Sequence, residues 1–266
     1  MKYRKELYEP GQKISAGSVY NRLKMGRKLF RFMVKFGKRQ TNPFLEVRYP
    51  RLPDGISRNI LNEMQMNRLM DALSMFHNAD TSDKRLEKYR AHVAAVLLYA
   101  TGMRISEAAG LLPEDVDVKR REVIIRNGKG GKSRIAFLTG YAADVLDYYI
   151  RYGRPALLER GWRKHGSRLF GADTATLASA VNRELRKTCT ELKIPVITCH
   201  GFRHSLGTHL LHAGCDMRHI QMILGHDKLN STQQYTRVDR DDLKNIIDRY
   251  SPPRPVPAPV HGRNAA

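Results

Sequence analysis

The chain has 266 residues, 41% hydrophobic and 27% charged, a globular balance that excludes collagenous, disulfide-scaffold and disordered classes and suits one or two domains. Forty-seven Lys and Arg against 26 Asp and Glu leave a formal charge of +21, which makes a polyanion the expected partner, nucleic acid before any other. No run approaches the roughly 18 apolar residues of a spanning helix, and Met1-Lys2-Tyr3-Arg4-Lys5-Glu6 lacks the apolar stretch of a secretory signal, so a cytoplasmic, nucleoid-associated protein without a membrane partner is expected.

The basic charge is concentrated early, with 15 Lys and Arg against 4 Asp and Glu in residues 1–60. Val19, Leu23, Phe30 and Met33 recur at helical spacing and predict a helix from Ser18 to Phe36, with Gly37 as its stop. Arg22, Arg27, Lys28, Arg31 and Lys35 fall largely off that stripe. They form either a solvated face or a phosphate-binding one, and the pattern supports both equally. The Pro-rich, basic stretch from Asn42-Pro43 to Pro53-Asp54-Gly55 breaks any periodicity and reads as a linker. It separates a short basic helical domain, residues 1–55, from a main domain, residues 56–250.

A capping box at Asn62 and Gln65 opens the next helix, which is expected to bury Met66, Leu69, Met70 and Leu73. A second helix runs from about Lys84 to Thr101-Gly102, and a third from Arg104 to Leu112 before Pro113. Glu122 to Arg126 and Arg134 to Leu138 are β-prone and flank the glycine-rich segment 127–133, the pattern of a hairpin. The rest, to about Tyr250, has helical periodicity. The tail 251–266, with Pro252, Pro253, Pro255, Pro257 and Pro259, is expected to be disordered. The fold class is therefore mainly α with a small β-hairpin or sheet (α+β).

Gly131-Lys132-Ser133 matches the end of a phosphate-binding P-loop, but Arg126 occupies the position of its first glycine and a strand follows in place of a helix. A nucleotide cofactor is not expected. A lysine in a hairpin-tip loop can instead reach into a groove, or simply decorate a solvated turn. Cys189, Cys199 and Cys215 show no CxxC spacing and read as reduced thiols. His200 and His204 beside Cys199 have ligand-like spacing, but Arg203 between them sets a permanent cation there and argues against a metal. His200 and Arg203, three apart on a helix, suit an anion. His204, His209, His212 and His219 read as half-buried helix residues or phosphate contacts.

Taken together, these positions resemble the catalytic domain of the tyrosine site-specific recombinases, the family of phage integrases and Xer recombinases. Ala100-Thr101-Gly102-Met103-Arg104-Ile105-Ser106-Glu107 looks like its first box, Gly128-Lys129-Gly130 like its hairpin lysine, and His200-Gly201-Phe202-Arg203-His204 like its second box. Leu224-Gly225-His226 and Tyr235, nine residues beyond His226, complete the set. The resemblance runs from about Asn62 to Tyr250.

It implies a DNA recombinase or integrase acting through a 3′-phosphotyrosyl intermediate without metal, nucleotide or other cofactor. Tyr235 is then the nucleophile and Arg104 and Arg203 clamp the phosphate. Lys129, preferred to Lys132 for its motif position, protonates the leaving 5′-oxygen. His200 accepts or relays the tyrosine proton, His226 donates to a phosphate oxygen, and Glu107 buttresses the arginine. Lys132 is left for a backbone phosphate. The implied partners are double-stranded DNA and further copies of the chain, as a homotetramer on two sites. The helix from Asp241 to Tyr250 either docks on a neighbouring protomer or packs on its own domain. The family's DNA-binding domain is longer than the segment that precedes the linker here, which leaves room for an accessory DNA-binding protein. A type IB topoisomerase or a truncated, non-catalytic DNA-binding protein are the alternatives.

Overall fold

Helix α1 (Ala16–Lys35) ends at the expected place, because Lys38 donates to the Met33 carbonyl and Gly37 to that of Val34, the paired bonds of a Schellman turn. The computed structural model describes residues 14, 16–50, 59–75, 82–126, 133–161, 165–225 and 237–250. Lys129, Lys132, His226, Tyr235 and the 251–266 tail lie outside the described residues. The chain divides into two units, Met1–Arg58 and Asn59–Ala266.

In the first unit, Val19, Leu23, Phe30 and Met33 are half-buried, and α1 fully buries none of its residues. What covers the stripe is the segment expected to be a linker. Phe44 packs on Phe30 with ring centroids 5.3 Å apart, Tyr49 on Tyr20 at 4.8 Å, and Asn42 donates to the Arg27 carbonyl at 3.0 Å. Residues 42–49 thus fold back along the helix as a strap, held by aromatic contacts that a reading for Pro and charge alone passes over. Arg27 belongs to this strap. Its guanidinium donates to the carbonyls of Phe44 at 3.0 Å and Leu45 at 2.8 Å and lies 4.8 Å from the Tyr49 ring centroid. Arg22, Lys28, Arg31 and Lys35 are exposed.

The second unit is built around α3 (Ser82–Thr101), whose run Ala91–Leu98 is buried on every side, the signature of a core helix. Helix α2 (Glu63–Ser74) lies against it, opened by the Asn62–Gln65 capping box and burying Met66, Leu69, Met70 and Leu73 as expected. Helix α4 (Ile105–Gly110) is shorter than the sequence suggested. Leu112 is extended, with φ −102° and ψ 156°, the backbone that a following proline imposes.

A three-stranded antiparallel sheet follows, in the order β1 (Val116–Asp117), β2 (Glu122–Ile125), β3 (Arg134–Phe137). The β2–β3 hairpin is the one expected, while β1, two residues long, shows no alternation by which to read it. Beyond the sheet come α5 (Gly140–Tyr148), a π turn (Tyr149–Gly153), α6 (Arg154–Glu159), α7 (Thr174–Glu191), α8 (Cys199–His212), α9 (Met217–Leu224) and α10 (Arg237–Tyr250). Helices α5, α7 and α8 pack on α3.

Leu243 and Ile247 of α10 are buried with Phe137, Leu206 and Leu210. Lys244 pairs with Glu122 at 2.9 Å and Arg121 with Asp248 at 2.6 Å. In the single chain, α10 thus packs on its own domain. Among the described residues no helix is long and apolar enough to cross a membrane.

Candidate active site

The chain leaves α3 through Gly102, whose φ of +60° ends the helix in a conformation that side chains disfavour. A Cβ there would also stand 2.5 Å from Leu224 Cδ2. Two residues on, Arg104 is the extended N-cap of α4. Glu107, the third helical residue, accepts the Arg104 backbone N–H at 2.8 Å and its guanidinium Nη1 at 2.9 Å. Backbone and side chain of the arginine are therefore fixed by one carboxylate, half of a capping box put to positional use. The Arg104 side chain keeps 34% of its surface exposed.

Arg203 arrives from α8. It is buried, and its Nη1 donates to the Gly102 carbonyl at 2.7 Å, which fixes its guanidinium two residues along the chain from Arg104. Helical spacing brings His200 and His204 to the same end of α8, edge-on with centroids 4.5 Å apart, His200 exposed and His204 half-buried. The Leu224-Gly225 pair joins the cluster through α9. Leu224 packs on Gly102, and Gly225, with φ +66°, forms the left-handed cap of the helix.

Arg134, which belongs to none of the sequence motifs, completes the group. It opens β3 and donates to Glu107 Oε2 at 3.0 Å. Its one sequence signal is a charge at the head of the apolar run Ile135–Leu138. Burial alone would raise the Glu107 pKa, but the Arg134 charge, the Arg104 backbone N–H and the side-chain hydrogen bonds from Arg134 and Arg104 hold it below the ordinary carboxylate range. Arg104, Arg134 and Arg203 against one Glu107 leave the cluster positive, as binding of an anion requires. Among the described residues no group of His, Cys, Asp and Glu could hold a metal ion.

His209 and the cysteines are structural. His209 is buried, with Nε2 2.7 Å from the Leu61 carbonyl and Nδ1 2.8 Å from the Tyr99 hydroxyl. The carbonyl only accepts, so Nε2 carries the proton. Burial holds its pKa below the usual histidine range, and it is not a phosphate contact. The three cysteines are buried free thiols, Cys199 pushed up to about 11 by desolvation, which makes it inert.

The Glu107 carboxylate predicts an acid-dependent stability. A carboxylate whose native pKa is lowered stabilises the fold fully above its ordinary value of about 4.3, and that contribution is lost as pH falls through the native value. Glu107→Gln is expected to lose about 3 kcal/mol at pH 7, the low end for breaking a buried pair because Arg104 keeps contact with water. In denaturant titrations the difference from wild type should shrink towards zero as pH falls below 4. A difference independent of pH would contradict this role.

The phage integrase family model matches residues 59–241, and the chain belongs to that family. It is 31% identical to the tyrosine recombinase XerC of Halalkalibacterium halodurans over 252 residues, 92% of this chain and 78% of the relative. It is 30% identical to the tyrosine recombinase XerD of Vibrio vulnificus YJ016 over 236 residues, 85% of this chain and 71% of the relative. Among solved structures, the Tn1549 transposon integrase in complex with circular intermediate DNA matches with a TM-score of 0.60 at 20% identity, over 86% of this chain and 76% of that one. The integrase from mycobacterium phage Brujita matches with a TM-score of 0.52 at 22% identity, over 96% and 78%. At these identities the structural likeness shows a shared fold.

Proposed function

We propose that the chain is a site-specific DNA recombinase that cuts and rejoins duplex DNA through a 3′-phosphotyrosyl intermediate. The observation that carries this reading is the arginine cluster, with Arg203 anchored on the Gly102 carbonyl at 2.7 Å and Arg104 on Glu107 at 2.9 Å. Phosphoryl transfer places negative charge on the non-bridging oxygens, and guanidinium groups held in advance stabilise it without reorganising. Tyr235 attacks the phosphorus and the P–O5′ bond breaks. The phenol proton passes to His200 and the 5′-oxygen takes one from Lys129, with His226 donating a hydrogen bond to the phosphate. The bond energy is kept in the protein–DNA linkage, and religation runs the same steps in reverse without ATP. Side chains supply the positive charge that a metal ion would otherwise bring.

Residues 56–250 serve as the catalytic domain and 1–55 as a short basic DNA-binding domain. The exposed Arg22, Lys28, Arg31 and Lys35, with Lys132, are the proposed contacts to backbone phosphates, while Arg27 holds the strap. Exchange between two duplexes requires four strand cleavages, which a homotetramer with one nucleophile per protomer supplies. An accessory DNA-binding protein is a further proposed partner, and the work is proposed to be done at the nucleoid.

The test is covalent trapping on a nicked duplex from which the small cleaved fragment diffuses away. Adduct is expected in EDTA and without ATP. DNA affinity should fall with log[salt], with a slope near −0.9 for each phosphate neutralised. Strict dependence on magnesium or nucleotide would refute the mechanism.

A further inference from the structure

We propose that Arg134 is a positioning residue of this active site: it neutralises Glu107 so that Arg104 keeps its charge for the scissile phosphate, and it ties the strand after the glycine-rich loop to the end of α9. The inference rests on the proposed recombinase chemistry and extends it to a residue outside the motif set.

Three contacts meet at this side chain. Nη2 donates to Glu107 Oε2 at 3.0 Å, and Nη1 is 3.5 Å from the Ile223 carbonyl. The end of the side chain lies on Gly225, where a Cβ would stand 2.7 Å from Cδ and from Nε. Any other residue at 225 would displace the guanidinium. Arg134 thus joins three chain segments that the sequence sets far apart: the start of α4, the strand that leaves the hairpin loop, and the residue before His226.

Charge gives the joint its purpose. A carboxylate neutralises one cation, so a lone Arg104–Glu107 pair would offer an incoming phosphate a dipole and not a charge. With Arg134 on the same carboxylate, the three groups keep a net positive charge. The Arg134 side chain is 13% exposed against 34% for Arg104, which turns the surplus towards solvent through Arg104. The arrangement has a cost in stability, since Arg134 Nε is buried without a hydrogen-bond acceptor. A residue kept for packing alone gains nothing from it.

The test uses the full chain and nicked duplexes whose site is recovered by covalent capture from a randomised pool with the wild-type protein. Arg134→Met keeps length and removes charge. It should slow single-turnover adduct formation roughly 10–100-fold, less than the roughly 10²–10³ expected for a donor that touches the transition state, with DNA affinity within about twofold because backbone phosphates dominate binding. Arg134→Lys should recover part of the rate. A neutral methylphosphonate at the scissile position should narrow the gap between Arg134→Met and wild type, because it carries less charge for a clamp to stabilise.

Wild-type rates in Arg134→Met would overturn the proposal. So would an equal loss on both linkages with lowered thermal stability, the mark of a merely structural role. If Arg134→Met does not fold, Arg134→Gln, which also removes the charge, is compared on the two linkages by the same criterion. Tyr235→Phe on the same duplexes separates the two levels of inference. Adduct persisting there refutes the recombinase reading, whereas adduct lost there but formed at full rate by Arg134→Met refutes the Arg134 role alone.

Discussion

Tyr235→Phe is expected to abolish covalent DNA adducts while leaving DNA affinity within a few-fold of wild type. The substitution keeps the ring and removes only the oxygen that attacks phosphorus, so packing and phosphate contacts persist and the chemical step does not. A phenol of ordinary pKa, about 10, is ionised to about one part in a thousand at pH 7. The reaction therefore needs a group that takes the proton as the P–O bond forms. His200, exposed at the start of α8 beside His204, has the accessibility for that role. Denaturing gels of nicked duplexes give the readout, and the linked peptide can be mapped by mass spectrometry. Adduct in Tyr235→Phe would assign the nucleophile to another residue and, with it, change the pairing of base and nucleophile.

The fold was legible where local chemistry decides it. The Asn62–Gln65 capping box and the buried Met66, Leu69, Met70 and Leu73 are fixed by residues within about three turns of one another, so spacing alone locates them. The β2–β3 hairpin is legible for the same reason. The strap at residues 42–49 was not, because its order comes from Phe44 and Tyr49 meeting α1 and from Arg27 bonding the carbonyls of Phe44 and Leu45. In sequence those residues sit among the prolines and charges of an apparent linker. Strand β1 is too short to carry a period.

The site divides along the same line. Arg104 with Glu107 and His200 with Arg203 are near neighbours in sequence, and helical geometry links them. Arg134 is 27 residues from Glu107 and 91 from Gly225, a separation that no local period spans. Its role is visible only once β3 and the end of α9 converge. The Gly102 carbonyl is equally silent in sequence, since every residue has one, and its use by Arg203 follows from a left-handed turn packed on Leu224. Motif resemblance can locate a box, but the bonds that fix its side chains come from elsewhere in the chain.

Lys129→Ala is expected to slow cleavage of ordinary DNA by roughly 10²–10⁴-fold, the usual contribution of a positioned general acid. The 5′-alkoxide is a poor leaving group because it is strongly basic, so a proton must reach it as the P–O bond breaks. Replacing the bridging 5′-oxygen by sulfur removes that need, since a thiolate leaves without protonation. The Lys129→Ala defect should therefore disappear selectively on the sulfur substrate. Lys132 is two residues from Arg134 at the head of β3 and is assigned to a backbone phosphate. Lys132→Ala should cost less and show no selective rescue, its loss falling mainly on affinity and reducing the salt slope by about one contact. Rescue confined to Lys132→Ala would exchange the two roles. Rescue in neither would move the proton donor out of the loop, with His200 as the next candidate, and would place the same histidine on both proton transfers of the reaction.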